Sequence, residues 1–172
     1  DNRFDAVLDG AVYGAMAGLG FAVIENALYI TRQLPATELD IGLGLIGAGG
    51  GITAIRALAG PGHVIYSAIA GYYLGLAKFN PGRRGPIVVK GILIAAFVHA
   101  AYNATVGIGS GVIGLLTGLS GLAPFLIYVI IYDGILALFL LGKIQQYRDS
   151  YREAHQPART ETDFESELTE FE

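Results

Sequence analysis

The chain contains no cysteine. That excludes disulfide frameworks, thiolate zinc sites and cysteine nucleophiles, so any metal or catalytic chemistry must rest on histidine, carboxylate, amide or hydroxyl groups. Charge is scarce as well: Asp, Glu, Lys and Arg are 15% of the 172 residues against 53% hydrophobic ones, and the mean hydropathy is +0.51. The 11 Lys and Arg sit almost entirely between or beyond the apolar runs, and most of the 15 acids fall in the first ten residues and the tail. Soluble domains rarely leave their interior so uncharged. No H-E-x-x-H occurs, and no convincing internal repeat relates one half to the other. No basic stretch followed by a short apolar core and cleavage site opens the chain, so a signal peptide is not expected. The first residue is Asp rather than Met, and the chain is expected to be a fragment with further helices upstream.

What is present points to an all-α, polytopic transmembrane bundle of about four to six membrane segments. Apolar stretches at residues 6–30, 52–79, 87–108 and 124–141 approach or exceed the roughly 20 residues that a spanning helix needs. The turn signal at 80–86, Asn-Pro-Gly-Arg-Arg-Gly-Pro, separates the second from the third. Two glycine-rich stretches, 41–51 and 107–123, are short for a crossing and are read as re-entrant or peripheral. The 25 glycines supply the small surfaces through which helices approach closely in lipid. The Gly10-Gly14-Gly18 ladder and Gly71-Gly75 have that spacing and are assigned to packing within the chain.

Positive charge then orients the bundle. Lys78, Arg83, Arg84 and Lys90 flank one loop, and Lys143, Arg148 and Arg152 follow the last span. Both clusters belong on the cytoplasmic side of a plasma membrane, so loop 80–86 and the C-terminal tail are expected inside. Residues 1–147 form the membrane domain, and 148–172 read as an acidic, disordered cytoplasmic tail.

An ionisable group at mid-membrane depth costs several kcal/mol, so each one is a functional candidate with an ion pair as the competing explanation. Asp9, Glu25, Arg56, His63, His99 and Asp133 qualify, with the amides Asn26 and Asn103 beside two of them. Phe21, Glu25 and Tyr29 share one helical face at i, i+4 spacing, as do His99 and Asn103. Arg56 and His63 are two turns apart, subject to the kink that Pro61 should introduce. Three polar faces on three spans can converge on one wet pocket able to bind a metal, or to activate water and hold an oxyanion. The structural alternative is a plain ion pair between Glu25 and Arg56. Asp9 lies near the cytoplasmic end and Asp133 has no partner in sequence, so both are read as structural.

These residues resemble the PrsW family of intramembrane proteases, relatives of the CAAX prenyl endopeptidases and the bacteriocin-processing membrane proteases. Asp9-Gly10 followed by the run from Gly18 to Glu25-Asn26 is similar to the family's F-x-x-x-E-N signature, read here on Phe21, Glu25 and Asn26. Arg56 with Pro61-Gly62-His63 and Gly71-Tyr72 resembles its R…H block, and His99 through Asn103 its closing H-x-x-x-N/D block. The resemblance covers about residues 5–105. It implies a site within the bilayer that hydrolyses a peptide bond of a membrane-anchored protein such as an anti-sigma factor, in a metallo- or glutamate-type reaction.

Glu25, His63, His99 and Asn103 would then be catalytic, Asn26 and Arg56 supporting, and Glu25, His63 and His99 the ligands if zinc is used. The implied partners are the bilayer and the protein substrate, with no nucleic acid. The family's pattern also has an acidic pair, E-E-x-x-K, on a preceding helix. No two Glu are adjacent here, so the fragment alone is expected to be inactive. Two other classes compete: an ion- or proton-coupled transporter, in which Glu and His form a relay, and a non-catalytic scaffold, which predicts that Glu25, His63 and His99 lie apart.

Overall fold

The computed structural model describes residues 4–33 and 51–155, without the side chains of 31, 33, 51–59 and 155. Among the described residues are four long helices: α1 (Val7–Gln33), α2 (Gly51–Lys78), α3 (Arg84–Thr117) and α4 (Ala123–His155). No strand occurs among the described residues. Among the described residues three stretches are long and apolar enough to cross a membrane: Val7–Ile30 of α1, Pro81–Thr117 through α3, and Ala123–Ala154 of α4. In hydrocarbon every backbone N–H and C=O must bond within the protein, and a helix achieves that by itself. The large apolar side chains these helices leave exposed, among them Phe97, Leu115 and Leu138, suit a lipid environment.

The first compact unit covers residues 1–140, and α1 against α2 is its tightest seam. A Cβ added at Gly10 would land on the Gly71 carbonyl, at Gly14 on the Ser67 carbonyl, and at Gly18 on the His63 carbonyl. As the α1 number rises the α2 number falls, so the helices are antiparallel, and the end of α1 and the start of α2 share one side. The small-residue ladder thus packs within the chain. Close backbone approach replaces the hydrophobic drive that lipid does not supply. At the opposite end, Lys78 Nζ donates to the Phe4 carbonyl and stands 4.6 Å from the Phe4 ring centroid. The α2 helix continues unbroken through Pro61.

Boundaries moved where local rules and membrane rules disagree. The third span was expected from residue 87, but α3 begins at Arg84, after a 3₁₀ turn over Pro81–Arg83. Pro86 is tolerated there because the first turn's N–H groups have no helical acceptor in any case. Expected as a re-entrant or peripheral element, 107–123 is instead divided: residues 107–117 extend α3, and 118–122 form the turn into α4. Glycine is a poor helix former in water, but helix is the conformation that satisfies its backbone in lipid. The hydroxyls of Thr105, Ser110 and Thr117 each donate to the carbonyl four residues back. Gly118, at φ 71°, closes the helix with its N–H on the Gly114 carbonyl at 2.9 Å. The other glycine-rich stretch, 41–51, lies outside the described residues except for Gly51, the first of α2.

The second unit covers residues 141–172. Its described part is helical to His155, which includes the start of the expected tail at 148; the rest of the tail lies outside the described residues. Within it Lys143 Nζ donates to Gln146 Oε1 at 3.2 Å.

Candidate hydrolytic and metal site

Glu25 on α1, His63 on α2 and His99 on α3 meet at one point. Helical side chains lean toward the N-terminus of their own helix. On antiparallel α1 and α2 the leanings oppose: Glu25 tips back toward Gly18, and His63 tips along α2 toward the level of Glu25. Their side chains therefore close the gap, with Glu25 Oε2 at 3.0 Å from His63 Nε2. The His99 ring stands edge-on to His63, with centroids 4.9 Å apart and planes at 77°. One ligand atom from each of the three residues lies within 4.8 Å of the others.

His63 is buried, and Glu25 and His99 are half-buried. Phe21, one turn before Glu25, places its ring 5.4 Å from that of His63. A cavity of about 580 Å³ runs between α1 and α3 over α2, with His63, His99, Phe21 and Tyr66 in its wall and the small residues Gly14, Ser67 and Gly71 beneath it. The triad sits well away from loop 80–86. His63 is fifteen residues before Lys78 and His99 fifteen after Arg84, about 22 Å along each helix.

One carboxylate and two imidazoles are donors that zinc takes, and a three-ligand set leaves a position for water or substrate. The same set can also work without metal, a carboxylate withdrawing a proton from water that an imidazole orients.

The other candidates are placed differently. Asn26 is half-buried beside Gly60 of α2, its Nδ2 3.6 Å from where a Cβ would stand there. Asn103, one turn beyond His99, lies exposed on α3 and outside the cavity wall. The Arg56 side chain lies outside the described residues, so its pairing with Glu25 does not enter. Asp9 serves the helix start: its Oδ2 accepts the N–H groups of Asp5 at 2.9 Å and Ala6 at 2.8 Å. Asp133 has a partner that the sequence did not suggest, because the Tyr66 hydroxyl donates to its Oδ1 at 3.0 Å. Tyr66 escaped notice altogether. Its only signal was its position, one turn after His63 on the same helical face.

Several known proteases are similar to part of this chain. "Protease PrsW" of Geobacillus kaustophilus is 34% identical over 102 residues, 59% of this chain and 39% of that protein. The Bacillus subtilis protein of the same name is 33% identical over 103 residues, and that of Clostridioides difficile 29% over 105, each match covering 40% of the relative. The matched part of the chain thus spans about two fifths of the length of these relatives. No solved structure matches. The sequence profile described as PrsW family intramembrane metalloprotease matches residues 1–135, and the chain belongs to that family.

Proposed function

We propose that this chain carries the core of an intramembrane endopeptidase site that cleaves membrane-anchored proteins, anti-sigma factors being one such class. The observation that carries the reading is the convergence of Glu25, His63 and His99 from three separate helices, with ligand atoms within 4.8 Å of one another. Burying two imidazoles and a carboxylate together in an apolar bundle is costly unless they act on something. A scaffold would have no use for their proximity. A transporter relay would need a path continuing beyond them, and the related proteins are named as proteases.

Glu25, His63 and His99 would hold the metal, for which zinc is the candidate. Bound there, a divalent cation would supply Lewis-acid polarisation of the scissile carbonyl and a more acidic water. The chain's own residues do the rest. Glu25 Oε2 faces His63 Nε2 at 3.0 Å, so the two donors are already side by side. Phe21 packs beside that ring, and the apolar cavity wall would admit an unwound segment of substrate while limiting bulk water. Asn26 and Arg56 are assigned supporting roles. Asn103 keeps the catalytic assignment that the family pattern implies, although it lies exposed and outside the cavity wall.

Orientation follows from charge. With loop 80–86 and the tail cytoplasmic, the triad lies toward the external half of the bilayer, and the cut falls on the external side of the substrate's anchor. The family's acidic pair is absent from these 172 residues, so the activity is assigned to the longer protein, and the fragment alone is expected not to cleave. Chelation of the purified longer protein should abolish cleavage of a single-span reporter, and added zinc should restore it. Undiminished cleavage under chelation would refute metal dependence.

A further inference from the structure

Asp133 is 6% exposed, on α4, the one of the four long helices among the described residues that supplies no member of the triad. Its Oδ1 accepts the Tyr66 hydroxyl, and its Oδ2 has no hydrogen-bond partner among the described residues. A carboxyl group buried in an apolar bundle on a single bond is expensive. Ordinary packing of α4 would be served better by leucine. What the bond secures is the Tyr66 ring, whose centroid is 5.7 Å from that of His99 at 31° and 6.2 Å from that of His63 at 50°. The hydroxyl folds back over Gly62, where a Cβ would stand 2.6 Å from the Tyr66 Oη and 3.1 Å from Asp133 Oδ1. Glycine at 62 therefore leaves room for this geometry. The neighbouring residue on α4 acts on the other imidazole-bearing helix: the Tyr132 hydroxyl donates at 2.7 Å to the carbonyl of Val98, the residue before His99.

We infer that Tyr66 and Asp133 are positioning residues of the site, a pair that fixes the His63 and His99 rings and makes α4 part of the active centre. The inference rests on the hydrolytic reading of the triad. Tyr66 stands beside both rings, and Asp133, reaching in from α4, stops the phenol from swinging. Without the anchor the ring keeps its bulk but loses its fixed orientation, and the imidazoles lose a wall. An unanchored imidazole samples several orientations, and catalytic or ligand geometry does not tolerate that.

The test uses the full-length protein in lipid nanodiscs, labelled with nitrogen-15 in histidine. There are three histidines in this chain, His63, His99 and His155, so the third serves as an internal control. Tyr66→Phe and Asp133→Ala should each shift or broaden the ring signals of His63 and His99 while leaving His155 unchanged. Asp133→Asn, whose amide oxygen still accepts the phenol, should retain the wild-type signals. In cleavage of a membrane-anchored reporter, the first two should lower kcat about 10- to 100-fold with KM unchanged. The double variant should be no worse than either single one, as expected of residues acting as a pair. Unaltered ring signals in both Tyr66→Phe and Asp133→Ala, or losses that multiply in the double variant, would overturn the inference. Tyr66→Phe and Asp133→Asn are near-isosteric, so the comparison survives if Asp133→Ala does not fold. Failure of the underlying reading is seen separately, as retained cleavage by Glu25→Ala.

Discussion

Asp9 and Glu25 are both acidic residues of α1, and depth separates their work. Asp9 stands in the first turn, where its Oδ2 takes two N–H groups that the helix itself leaves unbonded. Replacing it with alanine should cost about 1 kcal/mol at that helix end and speed amide exchange at residues 5 and 6 roughly fivefold, with the triad untouched. Unchanged exchange there would contradict the assignment. Glu25 was legible as a candidate because an isolated carboxylate amid apolar neighbours has few structural explanations, and the fold brings it to His63 and His99. Tyr66 was not legible: a tyrosine in a membrane helix attracts no attention, and the partner that reveals its role is 67 positions away. Asn103 marks the limit of spacing arguments. Four residues placed it on the face of His99, but a face is wide, and the side chain lies exposed.

At the scale of the helices, the α1–α2 seam carries the geometry of the site, because its register sets Glu25 opposite His63. Leucine at Gly14 would drive a side chain into the Ser67 backbone, which cannot retreat without parting the helices. The expected cost is about 1–3 kcal/mol for overpacking, read as a lower unfolding midpoint in detergent, together with lost cleavage. Leucine at Gly134, where an added Cβ meets nothing within 4 Å, should be neutral by comparison. Equal midpoints for the two variants would refute the close packing. The seam was readable because the i, i+4 glycine ladder names its own partner surface. The true length of α3 was not, since glycine content argues against helix in water, while the demand to satisfy backbone in lipid argues for it.

For the molecule as a whole, the proposed direction rests on charge and the proposed depth on helix length. At 34 residues, about 51 Å, α3 exceeds a hydrocarbon core of about 30 Å, so the proposed topology puts Gly82 and Leu119 on opposite faces. Since no native cysteine interferes, a cysteine at 82 should react with an impermeant reagent from the cytoplasmic side only, and one at 119 from outside only. Labelling of both from one side would overturn the topology and with it the external cut. Glu25, His63 and His99 are proposed to form one hydrolytic site, and cleavage of a single-span reporter by the full-length protein is the decisive measurement. Alanine at any of the three should lower the rate at least about 100-fold, since members of one catalytic unit fail together, with each variant still folded in the membrane. Retained cleavage in all three variants would contradict the claim.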